Sequence, residues 1–129
     1  MNPTIPKTVF LVDDQKISNF INRRLFTNCN FSGDIYCFED PADALSALEE
    51  ILPDMILLDL NMPKINGWDF LEILSNNKKF NTIRIVVATS STSPIDKNSA
   101  KRFPQVKDYL IKPLNGSMIN KLLHNAGSN

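Results

Sequence analysis

The sequence lacks the features that would commit it to a membrane, to secretion or to a strongly charged partner. No segment approaches the roughly 18 to 20 consecutive apolar residues of a membrane span. The first ten residues lack the charged and then apolar pattern of a signal peptide. Lysine and arginine number 14, and aspartate and glutamate also number 14, so the formal net charge is zero. We therefore expect a cytoplasmic chain without membrane insertion and without direct binding to nucleic acid.

Cysteine, histidine and glycine are also scarce. The two cysteines, Cys29 and Cys37, do not have the spacing of a metal site, which favours reduced thiols over a disulfide. The one histidine, His124, lies near the C-terminus and is interpreted as a surface residue. No glycine-rich phosphate loop follows the first apolar run, where the sequence reads DDQKIS. This absence argues against a flavin or dinucleotide binder.

Charge is balanced overall but unevenly distributed along the chain. Residues 1–93 contain eight basic and twelve acidic side chains, whereas residues 94–129 contain six basic and two acidic ones. The first part is therefore acidic by four and the second basic by four. Such an asymmetry can guide a partner protein, although a chance distribution over solvated helix faces explains it equally well.

Apolar runs alternate with segments of helical periodicity. The runs are continuous, which is typical of strands buried on both faces of a parallel sheet. The predicted strands span 8–14, 34–40, 54–60, 83–90 and 106–113, and the predicted helices span 15–28, 41–52, 67–77, 93–103 and 114–127. Five βα units in succession predict an α/β fold with one parallel sheet and helices on both faces. The length of 129 residues fits one domain, residues 1–129 with a core of about 7–126, and we expect no output domain.

The predicted helices differ in how clearly they mark a buried face. In the first helix, Ile17, Phe20, Ile21 and Leu25 fall on one apolar stripe that should face the core. The fourth helix is polar and has no strong apolar stripe. We therefore expect the fourth helix to be held less firmly or to be covered by a partner.

Polar side chains follow four of the five predicted strands. The carboxyl ends of parallel strands meet at one edge of a sheet, which is where ligands of such folds bind. Three carboxylates, two hydroxyls and one amine should gather there: Asp13 and Asp14 after the first strand, Asp59 after the third, Thr89 and Ser90 after the fourth, and Lys112 after the fifth. Each of these signals alone has an ordinary explanation, such as a helix N-cap for Asp14. Their joint placement is what predicts a site.

The chemistry of this set favours a metal and a phosphoryl group. Carboxylates held within a few ångströms repel one another, and Lys112 offsets only one negative charge. A hard divalent cation would balance the rest, and oxygen ligands of this kind suit Mg²⁺. Asp59 could then accept a phosphoryl group as an acyl phosphate, with Lys112 and Thr89 holding its other oxygens.

Four segments, LVDD, LLDLNMPKINGWDFL, VVATSS and YLIKPL, occur in this order along the chain. With these segments the chain resembles the receiver domains of two-component response regulators, particularly the single-domain, chemotaxis-type members, over nearly its whole length. The resemblance implies a flavodoxin-like (βα)₅ fold with strand order 2-1-3-4-5. It also implies Mg²⁺ as cofactor and a histidine kinase or histidine phosphotransfer protein as phosphodonor.

The resemblance assigns roles to individual residues. Asp59 matches the phosphorylated aspartate, Asp14 the direct Mg²⁺ ligand, and Asp13 the acid that acts largely through a metal-bound water. Asn61 matches the residue whose backbone carbonyl binds the metal. These four residues would form the metal site.

Further matches concern the phosphate and the conformational switch. Lys112 matches the phosphate-binding lysine, and its bond to Pro113 is cis in many relatives. Thr89 matches the switch hydroxyl, and Tyr109 matches the aromatic residue whose rotamer follows the position of that hydroxyl. Phosphorylation would therefore change the surface of the fourth helix, fifth strand and fifth helix. Gly67 matches the glycine that opens the third helix. Gln15 and Ser91 lie where family members vary, near the rim of the site.

Two other functions stay open on the sequence alone. A phosphorylation-independent adaptor would keep the fold without using the site. A phosphatase with an aspartyl-phosphate intermediate is less favoured, because Asn61 stands where such enzymes place a second acid and cannot serve as an acid–base group. We therefore expect a signalling module rather than an enzyme, promoting only its own phosphorylation and dephosphorylation. We expect a monomer, with phosphorylation-dependent dimerisation open; the sequence identifies no downstream target.

Overall fold

The computed structural model describes residues 6–62 and 66–124. These residues form five strands, β1 (Thr8–Val12), β2 (Asp34–Phe38), β3 (Met55–Leu58), β4 (Arg84–Thr89) and β5 (Val106–Ile111). They also form five α-helices, α1 (Lys16–Asn28), α2 (Pro41–Ala47), α3 (Gly67–Ser75), α4 (Pro94–Lys101) and α5 (Gly116–His124), with a short 3₁₀ helix at Lys78–Phe80. Residues 63–65, between β3 and α3, and the predicted end of the last helix, residues 125–127, lie outside the described residues.

All strand pairs are parallel, and the sheet order is β2-β1-β3-β4-β5. The chain therefore adds β2 at one side of β1, and then returns to the other side of β1 to add β3, β4 and β5 in turn. This order confirms the fold that the sequence predicts. It also brings the ends of β1 and β3 side by side, which is where the strand order reverses.

Helices cover both faces of the sheet, as predicted. Alternate residues of β3 point to opposite faces: Met55 and Leu57 pack in the cluster that includes residues of α1 and α5, whereas Ile56 and Leu58 pack with residues of α2, α3 and α4. All four residues are buried, which explains why the strand reads as a continuous apolar run. In the described part of the chain, no helix is long and apolar enough to cross a bilayer.

The predicted orientation of α1 is wrong for three of the four stripe residues, whereas Leu25 is partly buried and packs against the core. Ile17, Phe20 and Ile21 are 61%, 56% and 48% exposed. The residues that α1 buries are instead Asn19, Asn22 and Phe26. The buried amide of Asn19 explains the rotation, because its Nδ2 donates to the carbonyl oxygens of Asp13 and Phe38 at 3.0 and 3.2 Å. Backbone carbonyl groups at the ends of two strands need hydrogen-bond donors, and here the side chain of Asn19 supplies them.

Several predicted elements are longer than the observed ones. Helix α2 ends at Ala47 rather than at residue 52, and Leu52 is 50% exposed. In α3, Leu71 is buried while Ile73 is 42% exposed. Helix α4 buries Ala100, and its Ile95 is 76% exposed, which agrees with the weak stripe of its sequence. The strands are one or two residues shorter at their carboxyl ends than predicted, because those residues belong to the loops described below.

Gly67 starts α3 in close contact with the chain that leaves β3. Its N–H donates to the carbonyl oxygen of Leu60 at 2.9 Å. A Cβ at this position would lie 2.4 Å from the Cα of Leu60 and 2.7 Å from the carbonyl oxygen of Asp59. The requirement for glycine is therefore steric, and it fixes the distance between α3 and the strand end that holds Asp59.

Replacing Gly67 by alanine is expected to lower the free energy of unfolding by about 1–3 kcal/mol, because backbone atoms must move to admit the methyl group. Denaturant unfolding followed by circular dichroism measures the change. Gly116→Ala is the matched control, since nothing lies within 4 Å of a Cβ at the start of α5. That control should be neutral or slightly stabilising. Equal stability of the Gly67→Ala variant and the wild type would contradict the steric argument.

Candidate functional site

Three carboxylates meet at the carboxyl edge of the sheet. Asp13 and Asp14 follow β1, and Asp59 follows β3. One oxygen of each of these side chains lies within 4.8 Å of the others. Asp13 and Asp59 are buried and Asp14 is half-buried. The strands thus hold two acids inside the protein and leave the third at the opening of the site.

Lys112, which follows β5, reaches into this cluster from the other side of β4. Its Nζ lies 2.6 Å from Oδ2 of Asp13 and 3.5 Å from Oδ2 of Asp59. Its main-chain N–H donates to the carbonyl oxygen of Thr89 at 2.8 Å, and its peptide bond to Pro113 is cis. One amine therefore bridges two of the three acids.

The electrostatics of Asp59 differ from those of an exposed aspartate. Burial raises the pKa of its carboxyl, while the N–H of Asn61 and the charge of Lys112 act in the opposite direction. The neighbouring charges of Asp13 and Asp14 raise it further. The net direction is upward, so the folded protein holds the negative charge on Asp59 less readily than a solvated chain would.

The donor set fits a hard divalent cation. Carboxylate oxygens from three side chains within one small space are ligands that Mg²⁺ prefers, and Lys112 neutralises only part of their charge. Burial and the two acidic neighbours, which raise the pKa of Asp59, disfavour its negative charge. A bound cation would stabilise that charge. Asp13, Asp14 and Asp59 could thus hold the metal that the sequence predicts.

Asn61 and Thr89 lie beside Asp59. The main-chain N–H of Asn61 donates to Oδ1 of Asp59 at 3.2 Å, and its side-chain Nδ2 donates to Oγ1 of Thr89 at 3.4 Å. Thr89 ends β4 and is fully buried. The structure therefore brings the predicted switch hydroxyl into the same network as the predicted phosphoacceptor.

Tyr109 is linked to Thr89 through Ser91. Its hydroxyl donates to the carbonyl oxygen of Ser91 at 3.3 Å, and the N–H of Ser91 donates to Oγ1 of Thr89 at 3.2 Å. The hydroxyl of Ser91 donates in turn to Oδ2 of Asp96 in α4 at 2.6 Å. Sequence reasoning placed Ser91 only near the rim and missed Asp96, because no motif joins an aspartate in a polar helix to a strand end.

Of the remaining candidates, only Gln15 contacts the carboxylate cluster among the described residues. Ser90 is exposed and is not in this network of hydrogen bonds among the described residues. Gln15 contributes its main-chain N–H, which donates to Oδ1 of Asp13 at 2.9 Å. Both cysteines are free, Cys37 exposed on β2 and Cys29 with its thiol donating to the carbonyl oxygen of Gly116, and His124 is exposed at the end of α5.

The fold and this cluster define the class of protein. The chain matches the family model of the response regulator receiver domain over residues 9–124. It belongs to the response regulator receiver family and is a signalling module of the kind that two-component systems use. Receiver domains interact with histidine kinases or phosphotransfer proteins, and they bind Mg²⁺ through acidic residues.

Curated and solved relatives agree with this assignment. The chain is 35% identical over 115 residues to a probable methanogenesis regulatory protein, FilR2, of Methanothrix harundinacea, covering 84% of this chain and 74% of the relative. In two longer relatives it corresponds to only 18% and 32% of the protein.

Two solved structures show the same fold. A two-component response regulator from Cytophaga hutchinsonii superposes with a TM-score of 0.83 at 28% identity, over 92% of this chain and 94% of that one. The Mn²⁺-bound form of response regulator Rcp1, a protein of Synechocystis, superposes with a TM-score of 0.77 at 26% identity, over 93% and 91% of the two chains.

Proposed function

We propose that this chain is a phosphoacceptor that takes a phosphoryl group on Asp59 from a phosphohistidine of a histidine kinase or a histidine phosphotransfer protein. The observation that supports this most directly is the convergence of three carboxylates within 4.8 Å, with the amine of Lys112 between Asp13 and Asp59. We propose that the chain works in the cytoplasm. The downstream target is a further protein that reads the phosphorylated surface.

In this reaction a carboxylate oxygen of Asp59 attacks the phosphorus atom. The bond from phosphorus to the imidazole nitrogen of the donor breaks as the acyl phosphate forms, and the electron pair returns to the imidazole. Little covalent chemistry is needed from other groups, so positioning and charge neutralisation provide most of the catalysis. The buried position of Asp59 at the end of a rigid strand supplies the positioning.

The other site residues would hold the phosphoryl oxygens and the cation. Lys112 would exchange part of its contact with the carboxylates for a phosphoryl oxygen, and Thr89 would donate its hydroxyl to another. Asp14 would bind the metal directly, Asp13 through water, and Asn61 through its backbone carbonyl. Bound Mg²⁺ supplies positive charge and coordination positions for phosphoryl oxygens. The Mn²⁺-bound form of Rcp1 supports a divalent cation in a protein of this fold.

The readout would be a change in the surface formed by α4, β5 and α5. Thr89 and Tyr109 both form hydrogen bonds to Ser91. A movement of Thr89 towards a phosphoryl group would therefore also disturb the hydrogen bond between the Tyr109 hydroxyl and Ser91. Exposed lysines of this region, including Lys97, Lys101 and Lys107, give the surface a basic character. A local charge change at Asp59 would thereby bias a two-state element at the surface.

Incubation with acetyl phosphate and Mg²⁺, followed by intact mass measurement, tests the proposed function. We expect one phosphate per chain, released by hydroxylamine as an acyl phosphate is, and no incorporation when EDTA removes the metal. Absence of any mass increase would favour the phosphorylation-independent adaptor. Sustained release of phosphate from generic phosphate monoesters beyond one equivalent would favour the phosphatase.

A further inference from the structure

The loop between β4 and α4 contains a chain of hydrogen bonds that begins at the predicted switch hydroxyl and ends in α4. Ser91 contributes three different groups to it. Its N–H donates to Oγ1 of Thr89 at 3.2 Å, its carbonyl oxygen accepts from the Tyr109 hydroxyl at 3.3 Å, and its own hydroxyl donates to Asp96 at 2.6 Å. One residue therefore contacts both predicted switch side chains and the next helix.

The contact with Asp96 changes the usual way in which a helix begins. Ser93 is the N-cap of α4, and its Oγ accepts from the N–H of Asp96 at 3.4 Å. In a standard capping box, the acid three residues after the cap accepts from the N–H of the cap residue. Here the N–H of Ser93 donates to Oγ of Ser91 at 3.2 Å, and the Ser91 hydroxyl donates to Asp96. The capping box is closed through Ser91, a residue outside the helix.

This arrangement makes the start of α4 depend on the position of Ser91. The contact between the Ser91 hydroxyl and the carboxylate is short and charge-assisted, which is the stronger class of hydrogen bond. Ser91 cannot move with Thr89 towards the site unless this bond breaks or the first turn of α4 moves as well. The two ends of the network are thus coupled by contacts that the structure shows at each step.

We propose that Ser91 and Asp96 are positioning residues that hold Thr89 and Tyr109 in the unphosphorylated arrangement and link phosphorylation of Asp59 to the first turn of α4. The inference rests on the proposed function, because it concerns the same switch. Neither residue contacts the phosphoryl group in this proposal. They act through Thr89 and Tyr109, by stabilising the arrangement that phosphorylation must disrupt.

Breaking the network should favour the phosphorylated arrangement. Asp96→Asn and Ser91→Ala are expected to raise the initial rate of phosphorylation by acetyl phosphate by about three- to tenfold, the range that one partly exposed hydrogen bond to a charged group allows. The double variant should match Ser91→Ala rather than multiply the effects, because Asp96→Asn weakens the bond that Ser91→Ala removes. Ser91→Thr keeps the hydroxyl and should restore the wild-type rate.

A second measurement reports on the unphosphorylated protein. Hydrogen exchange of the Ser91 amide should be about three- to tenfold faster in Asp96→Asn, because the weakened bond to residue 96 holds Ser91 less firmly against Thr89. Ser93→Ala is the matched control: it removes the cap of α4 but keeps the main-chain N–H that donates to Ser91. It should loosen the first turn of α4 without raising the phosphorylation rate.

The outcomes separate the two proposals. A wild-type protein that takes up no phosphate would refute the proposed function and, with it, the coupling inferred here. If the wild type is phosphorylated but Asp96→Asn shows the wild-type rate and amide exchange, the inference alone is overturned. Equal acceleration in Ser93→Ala would also overturn it, because helix fraying rather than the Ser91 contact would then be the cause.

Discussion

An Asp59→Asn variant is expected to incorporate no measurable phosphate from acetyl phosphate and Mg²⁺, a fall of at least about a hundredfold in rate. The amide that replaces the carboxylate keeps the shape and can still accept from the N–H of Asn61, but its oxygen is not a nucleophile. Asp13 and Asp14 are close enough to be modified instead, since an oxygen of each lies within 4.8 Å of one on Asp59. We expect neither to substitute, because Lys112 is paired with Asp13 and Asp14 lies at the opening. Intact mass measures the incorporation.

The chain offers a closely matched control at the other end of the same strand. Asp54 directly precedes β3, whereas Asp59 directly follows it. The carboxylate of Asp54 accepts from the N–H groups of Lys7 and Thr8 at 2.7 and 2.9 Å. Asp54→Asn should therefore lower stability slightly and leave phosphate incorporation intact. If Asp59→Asn incorporates phosphate at the wild-type level, the phosphoacceptor is a residue other than Asp59.

The proximity of the candidate residues was predictable because the topology of the sheet determines where each strand ends. Once five βα units are recognised, every residue that follows a strand belongs to one edge of the sheet, however far apart the positions are in sequence. Asp13 and Lys112 are separated by 99 positions, yet their side chains are 2.6 Å apart. The sequence pattern needed only to locate the strand ends, and errors of one or two residues in the strand boundaries did not move these side chains to another place.

The orientation of α1 was not predictable from periodicity. Three of the four residues of its apolar stripe are exposed, because the helix turns two asparagines towards the sheet. Periodicity counts apolar side chains, whereas the orientation here is fixed by carbonyl groups at the ends of β1 and β2 that need donors. Hydrogen bonds of this kind depend on the three-dimensional position of each strand end and leave no repeat in the sequence.

Contacts between side chains of neighbouring elements were also beyond the sequence. Arg84 at the start of β4 pairs with Asp108 of β5 at 2.7 Å and donates to the carbonyl oxygen of Leu122 in α5 at 3.0 Å. The link between Ser91 and Asp96 is of the same kind. Gly67 shows an intermediate case, since its presence was predicted to matter but its reason, contact with Leu60, required the packing of α3.

A Lys112→Met variant is expected to lose about 2–3 kcal/mol of unfolding free energy near neutral pH in metal-free buffer. The side chains of Asp13 and Asp59 are only 4% and 8% exposed, and the substitution removes an amine that pairs with both. The estimate lies below that for a fully buried pair because the lysine side chain is 22% exposed. Denaturant unfolding at constant ionic strength with EDTA measures the loss. Added Mg²⁺ should recover part of it, since a cation replaces the missing positive charge.

The pH dependence of this loss follows from Asp59. Burial raises the pKa of its carboxyl above the ordinary value of 3.8, so the folded state binds this proton more tightly than the unfolded chain does. The charged form therefore destabilises the fold above the raised pKa, and this penalty disappears as the pH falls to 3.8 and below. Lys112 acts against that shift, so the deficit of Lys112→Met should be largest near neutral pH and shrink on acidification. Lys107→Met, on the same strand but exposed, should show neither the loss nor its pH dependence. If Lys112→Met is as stable as this control in EDTA, the three acids are not close enough to require the amine.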